Sequence, residues 1–101
     1  NLARTGDHRG AARLAAAARR SDQQDDAPLD WNGYVTGFHA YLSGHRNLLS
    51  AMIAQLKSRG GQGNLTNANV LERAERCFDE PFLVVEESPQ CAVEMQPTPA
   101  P

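Results

Sequence analysis

The middle of the chain carries a hydrophobic pattern with the period of an α-helix. Large apolar side chains recur there at spacings of three and four residues, at Trp31, Tyr34, Val35, Phe38, Tyr41 and Leu42. Residues three and four apart share one face of a helix, so the pattern predicts a helix that starts after Asp30, its N-cap, and stops at Gly44. Four of the six aromatic residues lie on it, which predicts that this helix forms the centre of the core.

Two more segments show the same period. A first helix is predicted from Asp7 to Arg20, with Asp7 as N-cap, and a third from Arg46 to Ser58, ended by Gly60. The predicted apolar stripes are Ala11, Leu14, Ala15 and Ala18 in the first helix, and Leu48, Leu49, Met52, Ile53 and Leu56 in the third. The polar, acidic stretch 21–30 between the first two helices is predicted to be a loop.

The last part of the chain gives weaker signals. Gly60–Asn64 is predicted to be a loop, followed by a fourth helix from Asn67 to Phe78. Phe82–Val85 is a short apolar run that fits a strand or an extended strap, and four residues do not decide between them. We therefore expect a helical domain over residues 1–88 and a disordered, Pro-rich tail over 89–101.

Composition and charge narrow the classes of protein. The 101 residues, 41% of them hydrophobic, fit one globular domain, and a net charge of −2 gives no bulk attraction to nucleic acid. Five arginines lie between Arg4 and Arg20 against the single acid Asp7. Such a face is either a nucleic-acid surface or, as is more common, a solvated one. No run of about 18 apolar residues occurs, so no membrane span is predicted.

The sequence contains no recognisable catalytic, metal or cofactor site. His8, His39 and His45 lack metal-ligand spacing, and the glycines near residue 60 follow a helix rather than a strand, unlike a phosphate loop. Cys77 and Cys91 are either bridged, which requires an oxidising compartment, or two free thiols. We therefore predict that the protein is not an enzyme.

A shift of the sequence by 38 residues reveals a candidate internal repeat. It superposes Gly6 on Gly44, and the stripe of the first helix on that of the third, for example Ala11 on Leu49 and Ala15 on Ile53. Any two amphipathic helices preceded by a glycine would align similarly, so a chance match stays open. The first copy lacks its leading helix, which predicts that the natural chain extends upstream.

The repeat resembles the tetratricopeptide family of paired antiparallel helices. Gly37 matches the small position of its first helix, Tyr41 a nearby aromatic position and Gly44 the turn, whereas Leu49 stands where alanine is usual. The missing terminal proline and a spacing of 38 rather than roughly 34 residues also depart from the motif. The resemblance implies an all-α fold of antiparallel helical hairpins, tetratricopeptide-like, with about four helices and an extended C-terminal tail.

A second resemblance covers residues 29–82. The segment Trp31-Asn32-Gly33-Tyr34-Val35, a helical hairpin, and a closing Cys77-Phe78-x-x-Pro81-Phe82 segment resemble a group of short bacterial proteins. Many of that group look exported, which implies an exported or periplasmic location. No activity comes with this resemblance.

The function expected from these patterns is binding. Stacked hairpins form surfaces that hold a protein or peptide, so we expect a protein–protein interaction module or a small helical scaffold, with a homodimer as one form. The candidate partner-binding residues are Trp31, Tyr34, His39 and Arg46, although aromatic residues at helical spacing are more often core. The alternative is a nucleic-acid-binding protein that uses the arginine-rich first helix, which the net charge makes the less favoured reading.

Overall fold

The computed structural model describes residues 8–20, 23 and 27–93, and within these ranges the chain is all-helical, without strands. The helices are α1 (His8–Ala17), α2 (Trp31–Ser43), α3 (Arg46–Arg59), α4 (Gln62–Arg76) and α5 (Phe82–Glu87), followed by a 3-10 turn over Pro89–Cys91. The all-α class predicted from the sequence is confirmed. None of the described helices is both long enough and apolar enough to cross a membrane.

Helices α2, α3 and α4 form an up-down-up bundle around the main core. Gly44, in the left-handed conformation, ends α2, and a short turn after Gly60 reverses the chain again into α4. The start of α2 therefore lies beside the start of α4, where the Asp30 backbone amide donates to Asn64 Oδ1 at 2.8 Å. Fully buried side chains between the three helices include Ala40, Leu49, Leu56, Leu71 and Ala74.

Gly37 lets α2 and α4 approach each other closely in the middle of this bundle. A Cβ atom at this position would lie 2.5 Å from Leu71 Cδ1 and 3.1 Å from Met52 Cβ. Real Cβ atoms do not make contacts as short as the first. The small residue predicted here therefore has a packing role.

Helix α1 lies at the edge of the molecule and, among the described helices, packs only on α2. The Trp31 indole donates to the Ala18 carbonyl at 2.9 Å and joins the end of α1 to the start of α2. Ala11 is buried and Ala15 half-buried against α2, while Leu14 is exposed. Among its described side chains, α1 thus contributes only small ones to the core.

The predicted end of the first helix at Arg20 is wrong. Helix α1 stops at Ala17 because the Arg20 backbone is bonded elsewhere: its amide donates to Asn32 Oδ1 and its carbonyl accepts from Asn32 Nδ2, both at 2.6 Å. These bonds tie Arg20 to the first turn of α2. The N-cap predicted at Asp7 lies outside the described residues.

The predicted start of the fourth helix at Asn67 is also wrong, since α4 begins at Gln62. Asn64, buried in its first turn, donates to the Pro28 carbonyl at 3.1 Å and to the Gly60 carbonyl at 2.8 Å. One of these contacts is local and the other comes from 36 residues earlier in the chain, and together they offset the low helix propensity of the glycines. Asn69 lies inside α4, where its side chain donates to the Val93 carbonyl at 2.7 Å.

Phe82–Val85, predicted as a strand or an extended strap, belongs to the short helix α5. The Pro81 carbonyl accepts from the amides of Val84 and Val85, which closes the first turn. Arg73 on α4 caps the other end by donating to the carbonyls of Val85 and Glu86. The predicted boundary between residues 88 and 89 falls just before the 3-10 turn, and the tail beyond Val93 lies outside the described residues.

Candidate protein-interaction surface

The predicted aromatic stripe forms a continuous ladder of rings along α2. Ring centroids lie 5.9 Å apart for Trp31 and Tyr34, 6.3 Å for Tyr34 and Phe38, and 6.2 Å for Phe38 and Tyr41. Such tilted arrangements at 5–7 Å are favourable beyond the area that they bury. The structure therefore brings Trp31 and Tyr34 together, but as packed members of the ladder.

The C-terminal segment of the chain covers the end of this ladder that holds Phe38 and Tyr41. Phe82 meets Phe38 edge-on at 5.1 Å, and the Tyr41 hydroxyl donates to the Glu80 carbonyl at 2.5 Å. A disulfide between Cys77 and Cys91 closes the segment onto the end of α4. Of the two states open for these cysteines, the bridged one is present. Because this side of α2 is filled by the chain itself, it is not an open peptide groove.

The two tyrosines of the ladder have raised pKa values. Burial, and then the charge of Glu80, raise the pKa of Tyr41 to about 12. Burial, and then the charge of Glu86, also raise the pKa of Tyr34. Both hydroxyls are protonated at neutral pH, and that of Tyr41 donates to the Glu80 carbonyl.

His39 and Arg46, the other two predicted partner-binding residues, lie away from Trp31. His39 is half-buried on α2, with its Nε2 atom 3.4 Å from Ser43 Oγ one turn on. Arg46 is exposed beyond the other end of α2, where its guanidinium stands 4.5 Å from the Phe78 ring centroid. A helix of 13 residues spans about 20 Å, so Trp31 and Arg46 do not share one pocket.

A buried polar cluster at the start of α2 was not anticipated from the sequence. The Asp30 carboxylate accepts from the Gly33 amide at 2.9 Å, from Gln23 Nε2 at 2.8 Å and from Gln55 Nε2 at 2.5 Å. The Arg59 guanidinium lies 3.7 Å away. These contacts tie Gln23 and helix α3 to the start of α2.

Exposed apolar side chains are the remaining surface feature. Leu14 on α1 is 60% exposed, Leu48 on α3 39%, and Leu83 and Val84 on α5 42% and 36%. Leu14 belongs to the predicted stripe of the first helix, but it lies on the edge of the stripe that α2 does not cover. The sequence pattern alone does not reveal this, because it shows which face of a helix is apolar but not how much of that face the neighbouring helix covers.

The arginines of the predicted nucleic-acid surface are divided between α1, which holds Arg9 and Arg13, and the residues after it, and Arg4 lies outside the described residues. Arg13 lies on α1 and is exposed, whereas Arg19 and Arg20 follow the end of α1 at Ala17. Among the described residues no three His, Cys, Asp or Glu side chains are placed to hold a metal ion. No family model, curated protein or solved structure matches this chain.

Proposed function

We propose that this protein is a protein–protein interaction module built from tetratricopeptide-type hairpins. The observation that carries the proposal is the exposed Leu14, 60% exposed on a helix that packs on a single described helix. In hairpin arrays each unit buries its apolar face against the next unit, so an edge helix without a second neighbour is a place where a partner docks.

The packing of α1 and α3 supports the repeat on which this proposal rests. Ala11 and Leu49, equivalent under the 38-residue shift, are both buried. The next equivalent pair differs, because Leu14 is exposed while Met52 packs against the core. The difference follows from the packing, since α3 contacts both α2 and α4 whereas α1 contacts α2 alone among the described helices.

The disulfide supports an exported or periplasmic location as part of this proposal. Disulfides form and persist in oxidising compartments and are rare where thiols are kept reduced. The bridge between Cys77 and Cys91 also fixes the segment that covers the aromatic ladder. An exterior helix face, rather than the covered groove, is therefore the proposed partner surface.

The proposal is tested by affinity capture from extract of the source cells with three forms of the chain. We expect a partner that is retained by the native protein and by Leu48→Glu but lost by Leu14→Glu. Leu48 is the matched control, since it is an exposed leucine on another helix. Substitutions of Trp31 and Tyr34 are unsuitable, because they would disturb the packed ladder itself. Equal capture by all three forms would contradict α1 as the partner surface.

Arg46 offers a second check on the residues predicted from the sequence. Its exposed side chain is held over Phe78 and donates to the Glu75 carbonyl at 3.3 Å. A long side chain held in place loses less conformational entropy on binding. If Arg46→Ala also loses the captured partner while its helical spectrum is unchanged, the proposed surface extends to the turn between α2 and α3.

A further inference from the structure

The outer face of α1 combines an apolar residue with positive charge. Leu14 is flanked by the exposed Arg13, and Arg19 follows shortly after the helix. Residues 8–20 contain four arginines and no acid. A partner for this face therefore has an apolar contact point surrounded by carboxylates.

The outer face of α5 has the complementary chemistry. Leu83 and Val84 are exposed there, with the exposed Glu80 before them and the exposed Glu87 after them. Residues 79–87 contain four acids and no lysine or arginine. Phe82 and Val85 face the core, so the exposed pair is the part of this helix that is left for an outside contact.

The two faces do not meet within one chain. Helix α1 packs on α2, whereas α5 packs on α4, on the 3-10 turn and, through Phe82, on Phe38 of α2; among the described residues α1 and α5 are not in contact. We propose that α1 of one copy docks on α5 of a second copy, Leu14 against Leu83 and Val84, with the arginines facing the acids. This inference rests on the proposed interaction function and names its partner.

Such a contact is heterologous, because two different faces meet. Each copy that joins leaves one α1 face and one α5 face open, so the assembly grows into a chain or closes into a ring. The apolar part of each face is only one or two side chains, so the contact is weak and reversible. Exposed charge pairs are screened by salt, and we therefore expect the association to be salt-dependent.

The first test is sedimentation velocity of the whole chain over a concentration series from about 10 μM to about 1 mM, the range of weak complexes. The weight-average mass is expected to rise with concentration at low salt. It should fall toward that of the monomer in about 1 M salt, where the screening length is about 3 Å. A monomer at every concentration at low salt would overturn the proposal.

The second test separates a heterologous contact from a symmetric one. Leu14→Glu removes the α1 face, and Leu83→Arg removes the α5 face, so each variant alone should associate roughly tenfold more weakly than the native chain. Each retains the face that the other lacks. An equimolar mixture is therefore expected to form a one-to-one dimer that does not grow further. Leu48→Glu serves as the matched control and should associate like the native chain.

If the mixture stays monomeric while the native chain associates, the α1–α5 contact is refuted.

A nucleic acid as the partner of α1 is tested separately, by a gel shift with a duplex oligonucleotide. A duplex that is shifted by the native chain and not by Arg13→Glu, without self-association of the native chain, would overturn the proposal. Failure here is distinguishable from failure of the proposed function. A monomeric chain that still captures a different protein through Leu14 would leave the interaction module standing and remove only the second copy.

Discussion

Asp30 has two roles at the start of α2, since its carboxylate caps the helix and also accepts hydrogen bonds from other segments. The cap bond comes from the Gly33 amide, and Gln23 and Gln55 donate from the preceding loop and from α3. Burial would raise the pKa of Asp30, but these hydrogen bonds and the charge of Arg59 lower it below its ordinary value. The carboxylate is therefore held in its charged form.

We expect Asp30→Asn to lower the free energy of unfolding at neutral pH by about 2 kcal/mol, because charged hydrogen bonds are lost in a buried place. Since the folded state lowers the pKa of Asp30, its contribution is present above the ordinary pKa and is lost as pH falls through the folded value. Urea unfolding at several pH values checks this. The difference in the free energy of unfolding between the native chain and Asp30→Asn should become smaller below about pH 4.

The exposed Asp79 provides the control, and Asp79→Asn should leave the stability nearly unchanged. A gap between native chain and Asp30→Asn that widened toward acid pH would contradict the assigned role of Asp30.

The sequence shows that Asp30 caps α2, but it does not show which other side chains contact the Asp30 carboxylate. An aspartate directly before a helical pattern is a local signal, and the cap predicted at Asp30 is confirmed. Gln55 and Arg59 lie 25 and 29 residues further along, and nothing in their own spacing indicates a shared carboxylate. Only the folding of α3 against α2 brings them there. Long-range polar contacts of this kind cannot be read from local pattern.

Gly37 and Gly63 make a matched pair of helical glycines with opposite expected responses to alanine. At Gly37 the new methyl would lie 2.5 Å from Leu71 Cδ1, a side chain that is fully buried and cannot move aside. At Gly63 the nearest atom is Leu29 Cδ1 at 3.0 Å, the end of an exposed side chain. We expect Gly37→Ala to destabilise by about 1–3 kcal/mol and Gly63→Ala to be neutral or stabilising by up to about 1 kcal/mol. Thermal unfolding of both variants measures the difference, and equal responses would contradict the close approach at Gly37.

At the scale of the elements, the helices with long apolar stripes were predictable and the others were not. The predicted start and end of α2 are confirmed, and α3 extends one residue beyond the predicted Ser58. Helix α4 starts five residues earlier than predicted, because Asn64 is held by the Pro28 and Gly60 carbonyls. Helix α5 depends on Arg73 and the disulfide, which lie outside its own sequence. Short elements are determined by their neighbours, and a window of four residues does not contain that information.

The disulfide should stabilise the C-terminal segment more than the bundle. The bridged cysteines are 14 residues apart, and a closed loop of about this length contributes about 3 kcal/mol. We expect the Cys77→Ser, Cys91→Ser double variant to lose about this amount in urea unfolding. In hydrogen exchange, α5 and the 3-10 turn should lose protection first, while α3 and the middle of α4 keep theirs.

Reductant supplies the control for this prediction. It should shift the unfolding midpoint of the native chain toward that of the double variant and leave the double variant unchanged. If native chain and variant unfold at the same urea concentration without reductant, the bridge does not contribute as inferred.

At the scale of the whole molecule, the helices bury unequal amounts of apolar surface. Leu49, Leu56 and Leu71 are fully buried between α3 and its neighbours, each worth about 1.5–3 kcal/mol. Helix α1 places Ala11 and Ala15 against the core, and an alanine methyl contributes only about 0.8 kcal/mol. The edge helix that the proposed interaction uses is therefore also the helix with the least hydrophobic attachment.

This inequality predicts that α1 opens without the rest of the fold. In native-state hydrogen exchange, amides of α1 should exchange through an opening of lower free energy than those of α3, whose leucines open only with the bundle. The Trp31 indole holds the end of α1 through its bond to the Ala18 carbonyl. Trp31→Phe removes this donor, and the hydrogen bond contributes about 1 kcal/mol. Hydrogen exchange in α1 should therefore accelerate by roughly fivefold. Exchange in α3 should change only as far as the stability of the whole fold changes. Equal opening free energies for α1 and α3 would mean that these two helices unfold as one unit. A partner docked on α1 would then not stabilise α1 separately from α3. If α1 opens independently, its opening free energy rises when a partner binds and so measures that binding.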